Sequence, residues 1–192
     1  GIPSEAYIGT MCLPSFKKSE INEIVLSGGS YGEICWQNFQ SLDLSLGNLL
    51  ASGYAFRREN GDLVPYSEKL SYDSPDNLIK NVTVVKCTDH ADSDGDGRCD
   101  YCNGKLVVSI AKNGGESRVY TNLQDALDTI DDDLYIVTLL DDASGSYTLA
   151  NGRSVRFIMN SKTIGELVIS GGVRVALNGQ TGAVNSVIFR GD

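Results

Sequence analysis

The sequence predicts a mainly β protein that contains short parallel β-solenoid segments, a capping helix and a small linker of metal-binding type. Three observations predict this class. Apolar positions recur every 20 residues in the C-terminal third, and glycine pairs such as Gly28-Gly29 and Gly171-Gly172 end short β-branched runs. In addition, three of the five cysteines and the one histidine lie between positions 87 and 102. A chain of 192 residues holds one domain or two small ones.

The 20-residue repeat begins at Tyr135 and holds at four positions through three turns. The aligned sets are Tyr135, Val155 and Val175; Val137, Phe157 and Leu177; Tyr147, Leu167 and Val187; and Leu149, Ile169 and Phe189. Within each turn the apolar residues alternate, as they do in a strand with one buried face. Two strands per repeat predict a β-solenoid in which each coil stacks on the one before. A β-sandwich with evenly spaced strands is the alternative.

The segment before this repeat predicts a short amphipathic helix. Thr121 and Gln124 have the spacing of a capping box, with Thr121 as the N-cap. An apolar face follows at helical spacing, formed by Leu123, Ala126, Leu127 and Ile130. We expect this helix to cover the open end of the first coil and to protect its strand edges.

A weaker copy of the same offset is found near the N-terminus. It aligns Ile24 with Leu44, Leu26 with Leu46, Ile34 with Tyr54, and Trp36 with Phe56. The phrase at 23–29 is also similar to the one at 166–172, although chance similarity of so short a phrase is the alternative. We therefore predict the end of one solenoid at 1–58, a linker at 59–117, and a capping helix with the start of another solenoid at 118–192. Such a chain would adjoin further modules of the same parent protein.

Residues 87–102 have the spacing of a metal site. Cys87-x-x-His90 and Cys99-x-x-Cys102 offer four donors in two chelating pairs. Tetrahedral Zn²⁺ takes four Cys or His donors of this kind, and a closed set of four leaves no position for a catalytic water. The pattern predicts a structural zinc site.

Two alternatives remain for this stretch. The first is a calcium loop, because Asp92, Asp94, Asp96, the Arg98 carbonyl and Asp100 follow the first half of such a loop, although Asn103 stands at the twelfth position where a bidentate acid is expected. The second alternative is a disulfide or free thiols. Outside this stretch, Cys12 and Cys35 are expected to pack as buried thiols.

Charge and hydropathy exclude several function classes. The formal net charge is −9 and the sequence pI is about 4.6, which argues against nucleic-acid binding. The chain contains no apolar run of the roughly 18 residues that a membrane span requires, so no membrane insertion is expected.

Its acids cluster in turns, at 131–133 and 141–142, and not on one strand face where a catalytic pair would converge. We predict a non-catalytic module, with a polysaccharide-lyase-like enzyme fragment as the less favoured alternative.

Several phrases resemble segments of large cell-surface repeat proteins of gut Firmicutes. They are Leu-Leu-Ala-Ser-Gly-Tyr-Ala-Phe at 49–56, Asn-Val-Thr-Val-Val at 81–85, Cys-x-x-His-x-Asp…Asp-Gly-x-Cys-Asp-x-Cys at 87–102, Tyr-Thr-Asn-Leu-Gln-Asp-Ala-Leu at 120–127, and Ile-Val-Thr-Leu-Leu at 136–140. In such proteins the last two phrases open a right-handed parallel β-helix of the pectin-lyase-like type.

The resemblance implies an extracellular location on the bacterial cell surface. It also implies an adhesin or host-protein-binding module, with immunoglobulin (bound as a superantigen binds it) or a mucosal glycoprotein as partner. A glycan-binding adhesin module and a purely structural spacer of a surface stalk are the alternatives.

Overall fold

The computed structural model describes residues 6–13, 24–36, 45–69, 79–150, 152–178 and 181–190. The chain divides into two compact units, the first comprising residues 1–89 and 99–104 and the second residues 90–98 and 105–192. Strands dominate the described residues of both units. The single helix among them has six residues, and no described helix is long and apolar enough to cross a membrane.

The first unit contains a four-stranded mixed sheet in the order β1-β2-β4-β3. Its elements are β1 (Tyr7–Leu13), β2 (Ser30–Trp36), a 3₁₀ turn (Leu46–Leu49), β3 (Tyr54–Arg58) and β4 (Ile79–Lys86). The β1–β2 pair is parallel, and β4 runs antiparallel to both of its neighbours. A core of apolar side chains packs on this sheet, including the fully buried Tyr31, Ile34, Leu49 and Phe56.

The 20-residue register predicted for the N-terminal part is wrong. Ser30 lies opposite Tyr7, an offset of 23, and Leu26 bridges Leu50 where the prediction paired it with Leu46. The predicted pair of Ile24 and Leu44 lies outside the described residues, because Leu44 is among those not described.

Strand β4 explains why the other two predicted pairs, Ile34 with Tyr54 and Trp36 with Phe56, do not form. It lies between β2 and β3, so Ile34 faces Ile79, and Tyr54 and Phe56 pair with β4 residues and not with β2. The alternation of apolar residues indicates the buried face of a strand but does not identify the strand that pairs with it.

The second unit is a β-solenoid of stacked coils. Its six parallel strands are β7 (Leu134–Leu139), β8 (Ala143–Leu149), β9 (Ser154–Ile158), β10 (Thr163–Ser170), β11 (Arg174–Asn178) and β12 (Ala183–Arg190). The odd-numbered strands form one parallel ladder and the even-numbered strands another. All four predicted sets are in register, so the 20-residue repeat is confirmed in this unit.

One irregularity interrupts the even-numbered ladder. Ile164 pairs with Ala143, an offset of 21, whereas Leu167 pairs with Tyr147, an offset of 20, and the register shifts between Ile164 and Glu166. Both Ile164 and Leu167 are nevertheless buried. From Ala143 to Ser146 β8 advances three residues while β10 advances two, so the extra residue forms a bulge in β8 that keeps apolar side chains inside the coil.

The helix α1 (Leu123–Asp128) starts one residue later than predicted. Its N-cap is Asn122, whose side chain accepts hydrogen bonds from the amides of Gln124 at 2.7 Å and Asp125 at 3.4 Å. Thr121 is therefore not the cap, because the asparagine that follows it is an equally good capping residue and sits at the turn. The predicted apolar face is confirmed, since all four of its residues are buried in the core of the unit.

Both edges of the first coil are covered. Strands β5 (Val108–Lys112) and β6 (Ser117–Tyr120) form an antiparallel pair, and β5 lies against β7. On the other ladder, the side-chain amide of Gln124 covers the edge of β8. It accepts a hydrogen bond from Thr148 N at 2.8 Å and donates one to Thr148 O at 3.1 Å. Residues 59–117 therefore contribute β4 to the first unit and β5 to the second.

Candidate metal centre

The candidate site lies in the segment that follows β4. Cys87 is the first residue after this strand, and its amide donates to the Gly53 carbonyl at 2.8 Å. The later part of the segment is fixed by the hydrogen bond from Cys99 N to Gly104 O at 2.9 Å and by a bridge between Arg98 and Lys105. Between these points the segment consists of turns, bends and isolated bridges.

The four predicted zinc ligands come together. One donor atom from each of Cys87, His90, Cys99 and Cys102 lies within 4.8 Å of the others, so this group could hold a metal ion. The three cysteines are buried, and the histidine is half-buried. The Sγ atoms of Cys87 and Cys99 are 3.8 Å apart. That distance is the edge of a tetrahedron with Zn–S bonds of about 2.3 Å, whereas a disulfide would require about 2.05 Å.

The Cys99 turn favours a thiolate. The amide of Tyr101 donates to the Cys99 sulfur at 3.5 Å, and the amide of Asn103 donates to the Cys99 carbonyl at 2.8 Å. Asn103 has a φ of 55°, a left-handed conformation that asparagine tolerates better than most residues. A backbone N–H aimed at sulfur stabilises the charged form that binds metal.

The Cys87 thiol is crowded by the other two cysteines of the group. Hydrogen bonding of Cys87 to Cys102 and Cys99, followed by burial, raises the pKa of the Cys87 thiol above its ordinary value. A divalent cation reverses this effect, because it stabilises each thiolate that it binds. The donor set therefore fits a thiophilic metal better than it fits three neutral thiols.

Contacts to residues far along the sequence position His90. Its backbone forms a bridge with Val119, its Nε2 lies 3.4 Å from Thr121 Oγ1, and its ring meets Tyr120 edge-on at 6.4 Å. Partners of this kind orient metal-bound imidazoles in proteins. No local sequence pattern indicates these contacts, because Thr121 lies 31 positions from the histidine.

The aspartates of the same segment only partly match the predicted calcium loop. Oxygens of Asp92, Asp94 and Asp100 lie within 4.8 Å of one another. Asp96 and Arg98 do not belong to that group, and Asp96 Oδ1 instead accepts from the Arg98 amide at 2.7 Å. Asp92 Oδ2 accepts from Gly97 N at 3.2 Å, whereas Asp92 Oδ1 is shielded from solvent and has no hydrogen-bond partner.

The expectation of a buried thiol at Cys35 is wrong. Cys35 is half-buried and disulfide-bonded. In the parallel pair of β1 and β2, the Cα of Cys12 lies directly opposite that of Cys35. Composition and spacing do not distinguish a packed thiol from a bonded one. The same expectation for the Cys12 side chain lies outside the described residues.

Comparisons with known proteins provide no family assignment. The chain matches no protein-family model, and no curated protein or solved structure is significantly similar to it. The interpretation of this centre therefore depends on the chemistry of its own residues alone.

Proposed function

We propose that residues 87–102 bind one structural zinc ion and that the chain is a non-catalytic module held together locally by that ion. The observation that carries the proposal is the convergence of Cys87, His90, Cys99 and Cys102 within 4.8 Å. Three thiolates and one imidazole suit Zn²⁺ among the common divalent ions, and four protein ligands close its tetrahedral shell. The bound ion would stabilise a segment that contains no helix or strand beyond isolated bridges.

Metal analysis of the full chain tests this proposal. We expect one equivalent of zinc per chain after purification without chelator, and we expect Co²⁺ substitution to produce tetrahedral cobalt–thiolate absorption. Cys99→Ser should abolish both signals, because it removes one sulfur from a set of four. Ser93→Ala, in the same segment but outside the ligand set, is the matched control and should retain both. Substoichiometric zinc together with three thiols that react freely in the native protein would refute the proposal.

A second ion is favoured by one specific observation. Asp92 Oδ1 is a buried carboxylate oxygen without a hydrogen-bond partner, which is costly unless a cation neutralises it. We propose that Asp92, Asp94 and Asp100 bind Ca²⁺, with the Asp96 side chain and the Arg98 carbonyl completing the oxygen shell on binding.

Calorimetric titration of the zinc-loaded chain with Ca²⁺ tests the second site. We expect saturable binding that Asp92→Asn weakens at least tenfold. Asp132→Asn, in an exposed turn outside the cluster, should leave the affinity unchanged. Equally weak Ca²⁺ binding by both variants would indicate nonspecific electrostatic attraction and would refute this calcium site.

We further propose that the module acts at the bacterial cell surface by binding a host protein, with immunoglobulin as the partner class. The support is the resemblance of residues 49–56, 87–102 and 120–127 to cell-surface repeat proteins. Surface plasmon resonance against Fab and Fc fragments tests it, and saturable binding to either supports a protein partner. Saturable binding on a glycan array without fragment binding would favour the glycan-binding alternative. An absence of both would favour a structural spacer.

A further inference from the structure

The helix α1 covers only part of the inner face of strands β5, β6 and β7. It packs against β5 and β6, and its apolar residues share one core with Val108, Tyr120 and Val137. The helix ends at its C-cap, Thr129. Next to Thr129, the same face of the three strands continues as a groove of about 390 Å³. This volume falls within the roughly 300–1,000 Å³ of small-molecule sites.

The groove combines apolar surface with exposed charged side chains. Strand pairing sets Ile110 opposite Arg118, and residues at alternate positions of a strand share one face. Ile110 and Tyr120 are buried and Tyr135 is half-buried, and these three residues supply the apolar lining. Arg118 and Glu116 also line the groove and are exposed to solvent. Small-molecule sites in proteins have this composition, with aromatic and apolar lining and a few polar groups.

Hydrogen bonds fix the two aromatic rings of the groove. The Tyr120 hydroxyl lies 3.4 Å from Thr129 Oγ1, within hydrogen-bond distance. The Tyr135 hydroxyl donates to the Asp131 carboxylate. Both rings are therefore held in place before a ligand arrives, so that binding costs little side-chain entropy at these positions.

The charged groups of the groove favour a ligand that both donates and accepts hydrogen bonds. Lys112 pairs with Asp131 at 3.5 Å and also with Asp133, so its charge is already compensated. Arg118 and Glu116 make no ion pair or hydrogen bond within the part of the chain that the structure describes. A guanidinium only donates hydrogen bonds and a carboxylate only accepts them. Hydroxyl groups suit both side chains, because each hydroxyl is a donor and an acceptor.

We propose that this groove binds an uncharged sugar of one or two rings. A sugar ring has a C–H face that packs on an aromatic ring such as Tyr135, and hydroxyls at its edge that bond to Arg118 and Glu116. The three strands span about 10 Å, from two spacings of about 4.8 Å, which accommodates a disaccharide. Two cations and three acids lie in or beside the groove, so it does not favour an anionic ligand. The proposal depends neither on the zinc ion nor on a protein partner.

Saturation-transfer NMR on the full chain tests the proposal. The probes are three neutral disaccharides, lactose, cellobiose and mannobiose, and we expect saturable binding of at least one with a Kd of about 1 mM, because an open groove offers few contacts. Arg118→Ala and Glu116→Gln should each weaken that binding about tenfold, since each removes a hydrogen bond to a charged group. Both residues are exposed, so the variants should remain folded. Arg156→Ala, at an exposed arginine of β9 that does not line the groove, is the matched control and should bind as the parent chain does.

Amide chemical shifts locate the bound sugar, and charged probes test the assignment of its class. Shifts should change in β5, β6 and β7 and not in β1. The proposal is overturned if none of the three disaccharides binds, or if Arg156→Ala weakens binding as much as Arg118→Ala does. It is also overturned if digalacturonate or a tripeptide binds more tightly than the neutral sugars, because the groove would then suit an anion or a peptide. The zinc content of each variant should equal that of the parent chain, so this outcome is separate from that of the metal centre.

Discussion

Gln124 offers a sharp test of how the first coil is capped. Its side-chain amide accepts from Thr148 N at 2.8 Å, donates to Thr148 O at 3.1 Å and donates to Asp128 Oδ1 at 2.8 Å. One side chain thus takes the place of a neighbouring strand at the edge of β8. Gln124→Ala removes this substitute while leaving the helix sequence favourable.

The expected loss is modest and can be estimated from the contacts. A net hydrogen bond contributes about 0.5–1.5 kcal/mol, and these bonds are exposed, so water replaces part of each. Two backbone bonds at the low end of that range give about 1 kcal/mol, and the better helix propensity of alanine returns a few tenths. We expect the free energy of unfolding to fall by about 0.7–1 kcal/mol.

Urea denaturation measures that change, and amide exchange localises it. The Thr148 amide should exchange about 3- to 5-fold faster in Gln124→Ala, because 1.4 kcal/mol corresponds to a factor of ten. Asp125→Ala, one position along the same helix, is the control and should leave Thr148 exchange unchanged. If Gln124→Ala alters neither quantity, the edge of β8 is held by something other than this amide.

The other predictions concern the core, the bulge and an ion pair. Phe157→Ala should cost about 3–5 kcal/mol in chemical denaturation, because Phe157 is fully buried among three coils. Gly165→Ala should lower the melting temperature by several degrees, since a Cβ there would lie 2.4 Å and 2.6 Å from two carbonyl oxygens of β8. Gly9→Ala, where nothing lies within 4 Å, should lower it much less. The Lys105 ammonium lowers the pKa of the Asp141 carboxyl, so this pair stabilises the fold above the ordinary aspartate pKa and loses its effect as pH falls through the lowered value. Urea midpoints measured between about pH 6 and 2 should show a smaller acid-dependent loss in Asp141→Asn than in the parent chain.

The sequence predicted the second unit better than the first for a physical reason. Stacked coils of constant length repeat their inward positions at one offset, so Val155 and Phe157 identify both their face and their partners. In the first unit the offset is 23 or 24, and β4 enters from a stretch without any repeat. The pairing of Ile34 with Ile79 is long-range and antiparallel, and no local pattern indicates it.

In the candidate metal centre too, the local features could be predicted from the sequence and the long-range contacts could not. Two-residue spacers restrict Cys87, His90, Cys99 and Cys102 to chelating geometries, so their grouping could be predicted from the sequence. The contacts of His90 with Tyr120 and Thr121 arise only when β6 folds beside it, and spacing carries no information about them.

The bulge in β8, opposite Gly165 of β10, has a consequence for how the solenoid tolerates changes in length. In an uninterrupted strand, one inserted residue turns every later side chain from the inside to the outside. Between the pairs Ala143–Ile164 and Ser146–Glu166, β8 spans one residue more than β10 without that inversion, because Ile164 before this point and Leu167 after it are both buried. A coil of this unit can therefore be 20 or 21 residues long and still stack on its neighbours. The register shift in the β8–β10 pair marks where single-residue insertions and deletions should be tolerated best.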